Sequence, residues 1–461
     1  GVYDKQLAAI NATNIAGLEP QDLARIGTGA IQGLDPEDIA LLNTAQLQSI
    51  TPAQLAALRA TQLRGLSTEH IALLTSEHIQ ALNATNIAGL TSNQVAGLTT
   101  ANIAGLESTD LAAITPEAIV GLETTDLVNL STTQIQGLTS AQIALLSSSQ
   151  TQHITTTQIA ALRATQLAGF TSGQIAQLSS AQIQALSTTN IAGLTSNQVA
   201  GLTTANIAGL ESQDLARIST GAIQGLASQL IALLDSGQLQ SLTTAQITAM
   251  LASQVAGFST EQIAQLSSAQ IQALSATNIA GLTSNQVAAL TTANIAGLEP
   301  TDLAAITTAA IAGLQTEDIE RLSITQVQGL SRTQIEQLSS TQLRAFTTSA
   351  ISGLSGTQIS GFSPEGIASL STAQLAAIQP GLVLYVPGSG LSTAAIAQLT
   401  SSQVAAIFYS MFAEFSSAQL AAFTTTNIEG VYDKQLAAIN ATNIAGLEPQ
   451  DLARIGTGAI Q

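Results

Sequence analysis

An eight-residue unit recurs in unbroken register from residue 1 to about 379, and a chain so periodic folds by stacking like upon like. Its pattern is Leu, Ser/Thr, two variable residues, Gln/Asn/Asp, Ile/Leu/Val, Ala, then Gly or Ala, as in Leu90-Thr91-Ser92-Asn93-Gln94-Val95-Ala96-Gly97. Thr91 has the hydroxyl of a helix N-cap, able to accept from a first-turn N–H. Gln94, three residues on, can reach back to the Thr91 N–H and complete a capping box. Leu90 before the cap and Val95 at the fourth helical position form the matching hydrophobic staple. Val95 and Leu98 are three apart and share one helix face.

Proline supports the same reading. Pro20, Pro36, Pro52, Pro116, Pro300, Pro364 and Pro380 each fall one residue after the expected cap, with Pro449 in a duplicate of the Pro20 segment. That is the first helical position, where the missing N–H has no partner to lose. Only Pro387 escapes the pattern. A long continuous helix fails on period, because apolar spacings alternate between three and five and average four. Each octad is therefore expected to hold one and a half to two turns, followed by a kink. So short a helix buries too little apolar surface to offset its own ordering and must lean on neighbours. The expected fold is an all-α repeat solenoid of short capped helices, one per eight residues, which could itself wind into a superhelix. A β-solenoid is the alternative, but it gives no reason for prolines to sit one residue after a hydroxyl.

Two apolar columns support the octads. One runs Leu7, Ile15, Leu23, Ile31, Ile39 and fails before the first interruption only at Thr151; the other runs Ile10, Leu18, Ile26, Leu34, Leu42. Glycines such as Gly89, Gly97 and Gly105 recur at the same spacing, as expected of residues that close helices. The organisation reads as an octad solenoid over 1–379, an extended Pro/Gly-bracketed interruption over 380–390, and octads resumed in a frame displaced by five over 391–429. Residues 430–461 repeat residues 1–32 letter for letter and read as the start of a next superrepeat. The segment 407–415 is the richest in aromatics. Tyr385, Phe408, Tyr409, Phe412 and Phe415 are the candidates for contacts with other copies of the chain or adjoining superrepeats, although a local core is the simpler role for the cluster.

Charge narrows the partners. With 29 acids against 11 bases, the net charge of −18 argues against nucleic acid, whose phosphates need basic patches. No apolar run approaches the length of a membrane-spanning helix, so no membrane insertion is expected. Acids such as Glu107/Asp110 and Glu211/Asp214 fall at cap and early-helix positions, where they suit the helix dipole, and are read as a solvated surface. Cysteine is absent. His70 and His78 occupy the position usually given to Gln in adjacent octads; no third metal ligand is evident, and capping is the expected role. His153 stands alone in the degenerate octad. No nucleophile elbow, phosphate loop or dinucleotide fingerprint is present, so neither an enzyme, a cofactor nor a metal is expected.

Leu242-Thr-Thr-Ala-Gln-Ile247 and Leu370-Ser-Thr-Ala-Gln-Leu375 resemble the "LTTAQIAAL"-type repeats of very large bacterial secreted and surface proteins, often described as adhesins. The resemblance covers nearly all of the chain except 380–390. It implies bacterial origin, export and an extracellular or cell-surface location, and it transfers no catalytic or binding residue. On these grounds a structural fibre, sheath or filament is the expected function, with the stalk of a giant adhesin as the alternative.

Overall fold

The computed structural model describes residues 4–7, 9–11, 13–385 and 391–455. The chain forms two compact units, Gly1–Ser241 and Leu242–Gln461, each an all-α solenoid of very short helices. Among the described residues there is no strand, so the β-solenoid alternative is set aside.

The caps form where the octad places them. Thr91 O–H and Gln94 illustrate the box: Gln94 Oε1 accepts from the Thr91 N–H at 2.9 Å, and the Gln94 N–H donates to Thr91 Oγ1 at 3.4 Å. Pro20, Pro36, Pro52, Pro116, Pro300, Pro364 and Pro449 are each the first residue of their helix. Both apolar columns point inward. Leu55, Ile71 and Val95 in the first unit, and Ile263, Val287 and Ile335 in the second, are completely buried. Thr151, the exception in its column, is also fully buried, and its hydroxyl donates to the Ser147 carbonyl of its own helix at 3.0 Å.

Helix length varies between octads, and Gly329, before the second column, closes a six-residue helix. Ala57, Ala113 and Ala161 close six-residue helices such as Pro52–Ala57, whereas Gly89, Gly97 and Gly121 follow four-residue helices such as Ala84–Ile87. Yet these glycines do not adopt the left-handed backbone expected of helix-closing glycine; among the described residues none has a positive φ. Their reason is proximity. A Cβ on Gly121 would lie 1.9 Å from the Ser92 carbonyl oxygen, 29 residues earlier, and one on Gly281 would lie 2.0 Å from that of Ala252. Hydrogen-bearing glycine lets one coil rest directly on the backbone of the last.

That contact distance also measures the coil. Glutamine side chains bond to carbonyls 31 and 28 residues back, as from Gln54 to Leu23 and Ile26. One coil thus takes about 28 residues, or 28/8 = 3.5 octads. Successive coils are therefore offset by half an octad. The helix Thr44–Ser49 packs along Pro20–Leu23, three octads before it, while Gln46 at its start reaches Leu18, which opens that octad, and Ile15 in the octad before it.

The interruption departs from expectation. Pro380–Tyr385 is a 3-10 helix, not an extended segment, and it packs against Gly356–Ile359 and Ser401–Ala406. Its branched residues still follow a proline with fixed φ, and the Leu382 N–H closes the turn on the Gln379 carbonyl at 2.8 Å. Residues 386–390 lie outside those described. Beyond them Gln403 bonds to Leu375 and Ile378, 28 and 25 residues back instead of 31 and 28. The coil holding the interruption is three residues short, which accommodates the displaced frame. By Gln435 the normal reach to Val404 and Ile407 is restored.

Replacing Gly121 by Val should destabilise the coils at 92 and 121 by about 1–3 kcal/mol through overpacking. Hydrogen exchange should show faster opening there, while Gly221→Ala, where a Cβ would meet nothing within 4 Å, leaves exchange unchanged or slower.

Candidate functional site: the inter-coil polar slot

The third helical residue of each octad occupies a slot between its own cap and the coil before it. Gln142 shows how the slot is satisfied. Its Oε1 accepts from the Thr139 N–H at 2.7 Å, and its Nε2 donates to the Leu111 and Ile114 carbonyls, each at 2.7 Å. One amide group therefore caps its helix and clasps the preceding coil. It is wholly buried and its polar atoms are met, the condition for a buried polar group to stabilise. The same pair of bonds recurs at Gln94, Gln166, Gln198 and, in the second unit, at Gln286, Gln334 and Gln358.

Shorter asparagine also serves. Asn102 Oδ1 accepts from the Thr99 N–H at 2.8 Å, and its Nδ2 donates to Ile71 at 2.9 Å and Leu74 at 3.1 Å. Asn102, Asn190, Asn206 and Asn294 precede 3-10 turns, whereas Asn86 and Asn278 fill the slot within α-helices.

Histidine serves by tautomer. His78 Nδ1 accepts from the Thr75 N–H at 3.2 Å, so the other ring nitrogen carries the hydrogen, and the ring bonds to the Ile50 carbonyl, 28 residues back. His70 likewise takes the Ser67 N–H at 3.3 Å. Both are caps, as the sequence indicates. His153 instead bonds to the Ser149 carbonyl of its own helix at 2.7 Å. Desolvation holds His78 below the usual imidazole range.

Aspartate is the discordant occupant. Asp38, Asp110, Asp126, Asp214, Asp302 and Asp318 fill the slot and are buried, not set on a solvated surface as their early-helix position suggests. Position three of these helices faces the neighbouring coil, a fact invisible without the stack. Desolvation raises each carboxyl, with a second contribution from a nearby acid; Asp214, near Glu211, and Asp318, near Glu317, are pushed up to about 6.

The aromatic candidates divide. Phe412 and Phe415 are buried and pack edge to face, with Phe423 stacked on Phe412 at a 5.8 Å centroid distance. Phe408 and Tyr409 are 50% and 42% exposed and contact each other at 4.7 Å. Phe408 stands where a capping hydroxyl normally stands and Met411 fills the slot, so this octad lacks the polar clasp. Tyr385 ends the 3-10 helix; its side chain lies outside the described residues. A surface groove of about 420 Å³ is lined by Tyr409, Lys434, Ala437 and Ala438.

Thr243, Ala245 and Gln246 lie at cap, second and slot positions, and the slot amide meets the cap as elsewhere, Thr243 N–H to Gln246 Oε1 at 2.9 Å. These letters are those of a known repeat. The ALTTAQ repeat family matches residues 47–84, 119–156, 176–212, 231–268, 263–292 and 295–332. The chain carries tandem ALTTAQ repeats. No curated protein matches it. Among solved structures, the leucine-rich repeat-containing protein LegL7 from Legionella pneumophila aligns at 14% identity over 55% of this chain and 80% of that one, with a TM-score of 0.16, too low for a shared fold.

Both units of this chain are repeat solenoids of self-stacking octads, and the sequence has no cysteine. Among the described residues no three His, Asp or Glu side chains are grouped to hold a metal ion, and no helix is long and apolar enough to cross a membrane.

Gln142→Leu should leave the Thr139 N–H and two carbonyls without their partner, costing roughly 1–3 kcal/mol, read as faster hydrogen exchange over 108–146. His78→Gln tests the tautomer. Because the folded protein holds His78 below its unfolded pKa, its contribution is present above about pH 6.5 and lost as pH falls. Protection of segment 47–82 should weaken on acidification in the native protein and less so in His78→Gln.

Proposed function

We propose that the chain is a structural element of an extracellular bacterial fibre, sheath or filament, built by stacking coils in tandem. The observation that carries this reading is how the duplicated segment docks. Residues 430–461 are identical to 1–32, and their first described coil stacks in the ordinary way. Gln435 Nε2 donates to Val404 at 2.9 Å and Ile407 at 2.6 Å, and Asn443 Nδ2 to Phe412 at 2.8 Å and Phe415 at 2.9 Å. Val431 enters the apolar column, 4% exposed. A superrepeat can thus follow another with the same clasps used within one, and elongation needs no special joint. The acidic, hydroxyl-rich exterior favours a soluble body. ALTTAQ-type repeats support an adhesin-like surface protein, and the stalk of an adhesin is the second reading, favoured by the same tandem junction.

The exposed pair Phe408 and Tyr409, beside the groove at Lys434, is the proposed contact with other copies or adjoining superrepeats. Phe412 and Phe415 support it from inside. The double variant Phe408→Ser/Tyr409→Ser should keep its helical circular dichroism and lose assembly by at least several-fold in sedimentation and negative-stain microscopy. Unchanged fibres would remove these residues from the contact; a native chain that stays monomeric at every concentration would remove the fibre itself.

A further inference from the structure

The aspartate slots pose a chemical problem that the glutamine slots do not. Each slot must offer an acceptor to its own cap and a donor to the carbonyls of the coil before it. A carboxylate has only acceptors. Asp214 replaces the amide that would donate to Ile183 and Leu186, 31 and 28 residues back; Asp318 stands in the same relation to Val287 and Leu290. Both side chains are 2% exposed, and Asp214 Oδ1 and Asp318 Oδ2 are buried with no hydrogen-bond partner. Asn102 and Asn294 show that a side chain of this length reaches those carbonyls when it carries hydrogen, at 2.9–3.3 Å.

We propose that Asp214 and Asp318 are proton-binding latches: the neutral acid takes the place of asparagine, its O–H donating to the preceding coil, so the solenoid tightens as the medium acidifies.

The surroundings leave few other charges to answer the carboxylate. Around Asp214, Ser180–Gln184 in the coil before and Ser236–Ser241 in the coil after carry no charged side chain; Asp235 precedes the latter, and Glu211 and Arg217 belong to the same octad. Glu211 is engaged at the surface with Gln184 and Gln213. Around Asp318, Ser284–Ala288 has none and Ser340–Arg344 contributes Arg344; Glu317, Glu320 and Arg321 share its octad. Burial foremost, and then Glu211 or Glu317, places these groups at about 6 against 3.8. The folded chain thereby favours the proton by on the order of a hundredfold per site. The sign follows: a folded pKa above the unfolded one contributes stability fully below about pH 3.8, and that stability is lost as pH rises through about 6. His78 acts in the opposite sense in the first unit, so each latch must be read locally.

The test compares the native protein with Asp214→Asn/Asp318→Asn and with Glu117→Gln/Glu365→Gln, which removes two exposed first-turn acids and so reports general charge repulsion. Protection factors from hydrogen exchange are measured over 180–218 and 284–322 between about pH 7.5 and about pH 4.5. The native segments should gain protection by tenfold or more on acidification. The asparagine variant should already be protected at the higher pH and change little, while the glutamine variant behaves as native. Equal protection of native and asparagine proteins at the higher pH would overturn the proposal, as would an acid response that the asparagine variant keeps. Calcium chloride that protects native segments at the higher pH, and not those of the asparagine variant, would also overturn it, assigning the slot to a cation.

Discussion

The structure depends on one side-chain amide used at both ends. A glutamine carbonyl oxygen receives the cap N–H of its own helix while its NH2 group bonds two carbonyls of the coil before it, as Gln142 does between Thr139 and the Leu111–Ile114 turn. A helix of four to six residues leaves most of its N–H and C=O groups without intrahelical partners. Here the unmet donors of one helix start and the unmet acceptors of another helix end meet through a single residue. The hydrophobic columns supply cohesion, but they are indifferent to sliding along the stack. The amide is directional and so fixes which residue lies over which.

The half-octad offset follows from the same arrangement. If a coil held a whole number of octads, each helix start would lie over another helix start, and donors would face donors. A coil of about 28 residues sets the start of each helix over the end of another, where carbonyls are available. Glycine at Gly121 or Gly281 then lets the backbones approach closely enough for the amide to span them. Polar slot and small residue are two requirements of one separation between coils.

Such a stack extends by repetition, and any octad whose slot is filled by a competent side chain can join it. Gln435 and Asn443 clasp 404–415 as Gln142 and Asn102 clasp their own preceding coils, although that stretch includes the aromatic octad. Variation in the slot tunes the stack without changing its path. Glutamine and asparagine hold at any ordinary pH, histidine holds when neutral, and aspartate offers acceptors where a donor is called for.

Much of this is legible in the sequence. The Ser/Thr-x-x-Gln spacing, the prolines at Pro52 and Pro116 and the columns through Leu55 and Leu58 specify capped short helices, because capping and staple contacts are local and set by residues within one octad. The same locality shows His70 and His78 to be caps. What one coil does to the next was not legible. The number of octads per coil, the second bonding partner of Gln142, the burial of Asp110 and Asp214, and the close approach at Gly121 all involve residues 28 to 31 positions apart. A periodic sequence looks the same at every multiple of eight, so it contains no mark of which octads come into contact. Nor did it show that the Pro380 segment would coil or that Phe412 would turn inward while Phe408 stayed out. The octad by itself determined the helix; only the stacked backbones, through the distance at which an amide can bridge two coils, decided the solenoid.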